Sequence, residues 1–123
     1  MLYCASHLSL AILETLVHTA RGHAPPRNRF HIEVDIPHAQ WGKRRVARGD
    51  SAFPADWDAH PAGAGSIGYG TQWLVAKSEL VLIVPSASVP SEDNVLLNPA
   101  HPDFAMVTAR NRGRLDFDHR LFP

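Results

Sequence analysis

An α+β fold is what this sequence predicts, and three observations point to it. Short apolar runs that read as strands are interleaved with two helical patterns. Long irregular stretches separate them, which argues against a doubly wound parallel sheet. The 123 residues are 45% hydrophobic and 20% charged, an ordinary globular composition. A chain of that length fits a single domain over residues 1–123 with a core of its own.

Met1 to Ala5 reads as a short buried strand at the very start of the chain. Ser6 is a good N-cap, and a helical pattern runs from His7 to Ala20, where Gly22 stops it and Arg21 favours its C-terminal end. Leu8, Leu10, Ala11, Ile12, Leu13, Leu16 and Val17 cover nearly every face, so this helix is expected to be central and packed on several sides. Residues 23–29, with Pro25 and Pro26, form a loop. Phe30 to Ile36 alternates apolar with polar and reads as a half-exposed strand ended by Pro37.

Residues 38–65 read as a surface excursion with room for one helical turn, anchored by Trp41, Phe53 and Trp57. A second helix is expected over 66–77, with Trp73, Leu74 and Val75 inward. Leu80–Val84 and Asn94–Leu97 are strands stopped by Pro85 and Pro99. His101–Thr108 is a short helix or turn, and the alternation from Leu115 to Phe122 predicts a closing strand.

Twelve Lys and Arg balance twelve Asp and Glu, and the pI is about 7.1, so bulk nucleic-acid binding is not expected. The same neutrality disfavours an RNA-directed role for the histidines and the Lys43–Arg48 cluster. The longest apolar stretch, Leu8 to Val17, contains Glu14 and is too short to span a bilayer. It lacks the flanks of a signal peptide. One cysteine, Cys4, excludes an internal disulfide and fits a reducing cytoplasm.

Glu14 is the first candidate site residue, the only charged group between Met1 and Ala20 apart from histidines, with Leu10, Ala11, Val17 and His18 on its face. Burial without partners would raise its pKa. It either serves a polar cleft or sits in a structural ion pair with an arginine of the closing strand. Tyr3, on the first strand, reads as packing or as part of a site. Ser86, in Val84-Pro85-Ser86-Ala87-Ser88-Val89-Pro90, presents a hydroxyl at a cleft edge or satisfies its own turn. No Gly-x-Ser-x-Gly elbow is present, which disfavours a serine hydrolase. The eight histidines show no metal-ligand spacing, so no metal is expected. Lys43-Arg44-Arg45 and Arg48 form a solvated loop or a phosphate or partner contact. Gly63-Ala64-Gly65-Ser66-Ile67-Gly68 matches a dinucleotide fingerprint by letter alone, because no strand precedes it.

Taken in order, several segments resemble one family. They are Leu2-Tyr3-Cys4-Ala5-Ser6 leading into the Glu14 helix, Phe53-Pro54-Ala55-Asp56-Trp57, Gly70-Thr71-Gln72-Trp73-Leu74, the Ser86 turn, and Asn94-Val95-Leu96-Leu97-Asn98-Pro99-Ala100-His101-Pro102. The family is that of RES domains, toxins of bacterial toxin–antitoxin pairs. The resemblance implies an ADP-ribosyltransferase-like core of short mixed strands around a central buried helix. It implies NAD as substrate, cleaved at the nicotinamide–ribose bond with water, phosphate or a protein side chain as acceptor, and an Xre-like antitoxin as partner. A closed NAD pocket on so small a domain also invites a homodimer. By resemblance the catalytic and NAD-binding residues are Tyr3, Glu14 and Ser86: the resemblance implies that Glu14 stabilises charge on the ribose, that Tyr3 stacks on or orients the nicotinamide, and that Ser86 bonds substrate or holds Glu14. The family's arginine lies upstream of its tyrosine, and no residue here corresponds to it. The expectation is therefore a RES domain short of its first segment, active or else surviving as an inactive, antitoxin-binding module.

Overall fold

A computed structural model describes residues 1–19 and 24–122. In chain order the elements are β1 (Leu2–Ala5), α1 (Leu8–Thr19), β2 (Arg29–Asp35), α2 (His38–Gly42), β3 (Arg45–Val46), α3 (Ala64–Ala76), β4 (Val81–Pro85), β5 (Asp93–Leu97), a 3-10 turn at Pro102–Met106, β6 (Thr108–Leu115) and a second 3-10 turn at His119–Leu121. Gly22 and Arg21, expected to end the first helix, lie outside the described residues, as does Ala20.

Four strands form one sheet in the order β1-β5-β4-β3, and β2 pairs with β6 as a separate two-stranded ribbon. β5 runs antiparallel to both of its neighbours, β1 and β4, while β3 runs parallel to β4. Segregated helices and mixed pairing make this an α+β fold, as expected.

Register sorts the side chains of the sheet. Residues opposite one another across a ladder share a face, and successive residues alternate. Tyr3 opposes Leu96 and Leu96 opposes Leu82; Ala5 opposes Asn94 and Asn94 opposes Val84. These six side chains lie on one face. Leu2, Cys4, Val81, Ile83, Val95 and Leu97 lie on the other.

Each face has its own core. On the first, Leu82 and Leu96 pack with Ala47, Tyr69 and Trp73, the last two from α3. On the second, Val81, Ile83, Val95, Leu97 and Leu80 pack under Val34, Trp41, Phe104 and Val107. The ribbon, α2 and the first 3-10 turn supply that cover. Burial of each Val, Leu or Ile stabilises by roughly 1.5–3 kcal/mol. Strand β4 is buried on both faces, which explains its unbroken Val-Leu-Ile run.

Four expectations are corrected. Helix α1 is not a central buried helix: only Leu10 is buried, and Leu8, Leu13 and Val17 are exposed. It packs beside β1, an edge strand, so only one side of it meets the sheet. Val75 is 74% exposed while Trp73 is buried, because consecutive helical residues point about 100° apart and three in a row cannot all face inward. The closing strand is Thr108–Leu115 rather than Leu115–Phe122. The Asp118 carboxylate instead accepts from the Arg120 backbone N–H and turns the chain into the 3-10 segment. Finally, the 38–65 stretch holds β3 as well as the expected turn α2, and buries Ala47 completely.

Candidate active site

The first face of the sheet is covered by α3 only in part. Between α1 and α3, above Tyr3, Asn94, Leu96 and Val84, lies a cavity of about 1000 Å³. Helix α1 contributes Ala11, Glu14, Thr15 and His18 to one wall; Ser66, Ile67, Gly70 and Leu74 of α3 form part of another. Phe53 and Trp57 close one side.

Glu14 and Tyr3 both line this space. The Glu14 side chain retains 20% of its surface. Its Oε1 accepts from the Ser86 hydroxyl at 2.6 Å and from Asn94 Nδ2 at 3.0 Å. His18, one helical turn on, places Nε2 3.6 Å from Oε2. Desolvation is the largest single influence on this carboxyl and pushes its pKa up. The hydrogen bonds from Ser86 and Asn94, the charge of His18 and a bond from Ser88 together outweigh it and hold Glu14 below the usual carboxylate value. Glu14 is thus not buried without partners, and those partners are Ser86, Asn94 and His18 rather than an arginine of the closing strand.

Ser86 is fully buried. Its Oγ accepts from the Ser88 and Val89 N–H groups, both at 3.1 Å, while its proton goes to Glu14. The turn-satisfying and Glu14-holding readings are therefore both true of one hydroxyl. Ser86 is not among the residues lining the cavity, and Glu14, to which it donates, stands between it and that space. Tyr3 is 69% exposed on the cavity face of β1.

Asn94 was not singled out from sequence. The available signal was an amide in an otherwise apolar strand, where Asn is depleted. The Cys4 side chain opposes Val95 on the other face, and burial pushes its thiol pKa up, which disfavours a nucleophilic thiolate.

The three arginines of the basic cluster make contacts within the fold. Arg44 stacks 4.7 Å from the Trp41 ring centre; Arg45 grips Asp50 with two nitrogens; Arg48 bonds to Asp93 and to the Pro90 carbonyl. Residues Gly63–Gly68 form the start of α3 and follow a loop. The Asp56 carboxylate stands over that helix start: a Cβ at Gly63 would lie 3.0 Å from its Oδ2. Among the described residues no three His, Cys, Asp or Glu side chains come together as a metal site, and no helix is long and apolar enough to cross a membrane.

The RES domain family model matches residues 1–118. The chain is 40% identical over 121 residues to the Prs ADP-ribosylating toxin of a Sphingobium species, covering 98% of this chain and 74% of that protein. It is 38% identical over 104 residues to Toxin Res of Yersinia enterocolitica, with 84% and 64% covered. It is 36% identical over 122 residues to Toxin Res of Photorhabdus laumondii, with 97% and 74% covered. An ionised glutamate on the wall of a large cavity thus sits in a sequence that matches one family almost from end to end, and the chain belongs to the RES domain family.

Proposed function

We propose that this chain is an enzymatic toxin that consumes NAD by breaking the nicotinamide–ribose bond. The observation that carries the reading is Glu14: a carboxylate kept charged by Ser86 and Asn94 at the wall of a cavity large enough for a dinucleotide. The names of the relatives, all toxins and one ADP-ribosylating, support it.

The chemistry follows from charge. The C1′–N bond breaks with its electron pair moving to the ring nitrogen, which turns the pyridinium into neutral nicotinamide. Positive charge develops on the ribose, as in glycoside cleavage. Glu14 faces that charge in a site of reduced water content and stabilises it. A lone pair of the acceptor, which is water, phosphate or a protein side chain, then closes the new bond to C1′ and its proton leaves to solvent. Tyr3 orients the nicotinamide ring from the cavity floor. Ser86 and Asn94 fix Glu14, which makes them positioning residues.

For the diphosphate, Arg29 is the one Arg or Lys lining the cavity among the described residues, and we assign it that contact. The reading extends to an Xre-like antitoxin as partner, to a single domain over 1–123, to a homodimer and to a cytoplasmic site of action.

Nicotinamide release from NAD by the whole chain tests it. Glu14→Gln keeps the shape and both hydrogen-bond contacts but removes the charge. It is expected to lower kcat by about 100- to 1000-fold, the size seen when one electrostatic contact to a transition state is lost. Turnover that survives this change, or none in the parent chain, overturns the proposal.

A further inference from the structure

The Phe53–Trp57 side of the cavity has no part in the bond cleavage assigned to Glu14. Its construction nevertheless suits a ligand. The Phe53 and Trp57 rings lie 6.1 Å apart at 24°, close to parallel, and both remain partly exposed to the cavity. Ile67, 61% exposed, adds an apolar surface beside them.

The loop that carries these rings is tied down at two points. At its start, Asp50 Oδ2 accepts from the Tyr69 hydroxyl at 2.8 Å and from Arg45 Nη2 at 2.8 Å and Nε at 3.1 Å. Its Oδ1 accepts from the Ala52 N–H at 2.9 Å. The Tyr69 ring meets Phe53 edge-on at 5.2 Å, and the Arg45 guanidinium lies 5.3 Å from the other partner of that network, the Tyr69 ring centre. Burial first, and donation to Asp50 second, push the Tyr69 pKa up to about 12, so the phenol stays a donor. Further along, Pro54 and Asp56 press on the start of α3. A Cβ at Gly65 would lie 3.1 Å from Pro54 Cβ, so glycine there is what lets the loop come so close.

A rigid, partly exposed aromatic pair with one apolar neighbour is chemistry for a flat ring system. It is not chemistry for phosphate. The Asp56 carboxylate at the α3 terminus repels anions from this end. An aliphatic side chain of a protein acceptor would leave the aromatic faces unused. Arg29 and Glu14 also line the cavity, which gives the ligand a charged part and an apolar part.

We infer that Phe53 and Trp57 form the subsite for the second base of the dinucleotide, a purine stacked on Trp57, with Asp50, Tyr69 and Arg45 as positioning residues that hold the loop. The inference rests on the proposed NAD chemistry for the identity of the ligand, and on the aromatic loop alone for its place.

Calorimetric titration of the whole chain with AMP tests it. AMP has the purine and no pyridinium–ribose bond, so it binds without turnover, and the Trp57 variants separate the stacking contribution from any contact of its phosphate with Arg29. Binding is expected in the parent chain, about tenfold weaker in Trp57→Leu, and within about threefold of the parent in Trp57→Phe, which keeps a ring. The KM for NAD is expected to rise about tenfold in Trp57→Leu and not in Trp57→Phe. No AMP binding, or equal binding in both variants, overturns the subsite. If NAD is cleaved in a Glu14-dependent way while Trp57→Leu changes neither AMP affinity nor KM, the subsite alone falls. If AMP binding depends on Trp57 but NAD is not cleaved, the proposed reaction falls and the subsite stands.

Discussion

The two faces of the β1-β5-β4-β3 sheet come from the same strands, yet they are built for different ends. The face of Val81, Ile83, Val95 and Leu97 is sealed by the ribbon, Trp41, Phe104 and Val107. The face of Leu82 and Leu96 is sealed under Trp73 and then opens, leaving Tyr3 and Asn94 beside a cavity. The alternation of a strand puts a packing residue and a site residue side by side along the chain. One β-strand thus turns Val95 and Leu97 to the sealed face and Asn94 and Leu96 to the face that holds both a core and the cavity.

Neighbouring leucines break or sharpen that contrast most strongly. Leu97 is fully buried on the sealed face, and Leu97→Ala should cost about 2–5 kcal/mol, toward the upper end because its surroundings are closed. Leu96→Ala is expected to cost less, since Leu96 also lines the cavity and water can enter the space it leaves. Urea unfolding measures both, with the midpoint lowered and the slope unchanged. Equal costs would mean that the two faces are packed alike.

The sealed face was the legible one. The unbroken apolar run of β4 and the short run of β5 announce buried strands, and structure moved their ends by no more than one residue. The ribbon was half legible. Strand β2 alternates, but Thr108-Ala109-Arg110-Asn111-Arg112-Gly113-Arg114-Leu115 offers no apolar face, and seven of its eight residues are exposed, so pattern alone could not announce it. It is a strand because β2 pairs with it, and the Arg110 and Arg112 pairs with Asp35 and Glu33 are written across the chain rather than along it. The site was legible as a lone carboxylate in an apolar helix. His18 was legible one turn along the helix and Ser86 only through the family resemblance, while Asn94 was not legible, because its contact spans 80 residues and only the fold brings it to Glu14. The aromatic loop read as isolated anchors for the same reason: Asp50, Tyr69 and Arg45 meet only after β3 and α3 are in place.

The next test bears on the open face. Ser86→Ala removes the donor to Glu14 and leaves the Ser88 and Val89 N–H groups without their acceptor, a loss of about 1–3 kcal/mol. It also changes pH dependence with a definite sign. In the parent chain Glu14 is held below the usual carboxylate value. A depressed folded pKa stabilises the fold above the unfolded value, and that stability is lost as pH falls through the folded one. Without Ser86 the folded pKa rises toward the unfolded one, so less stability is lost on acidification, and the acid limb of the kcat/KM profile moves to higher pH. An acid limb that stays in place would detach Ser86 from the charge of Glu14.

The smallest effect is expected at the outer surface of the cover on the sealed face. Arg112 donates to Glu33 from Nε at 3.1 Å and Nη2 at 2.9 Å, a well-shaped fork, but both side chains are largely in water. Exposed ion pairs gain little because water screens them and two long side chains must be held in place. What fastens the ribbon is its inner surface, where Val34 packs on the sheet together with Val107 just before β6. Arg112→Gln should therefore leave the melting temperature within experimental scatter of the parent, and added salt should not change that result. Val34→Ala, which alters only the inner surface, should lower it clearly. A reversal, with the arginine mattering and the valine not, would mean that charge and not packing seals this face of the sheet.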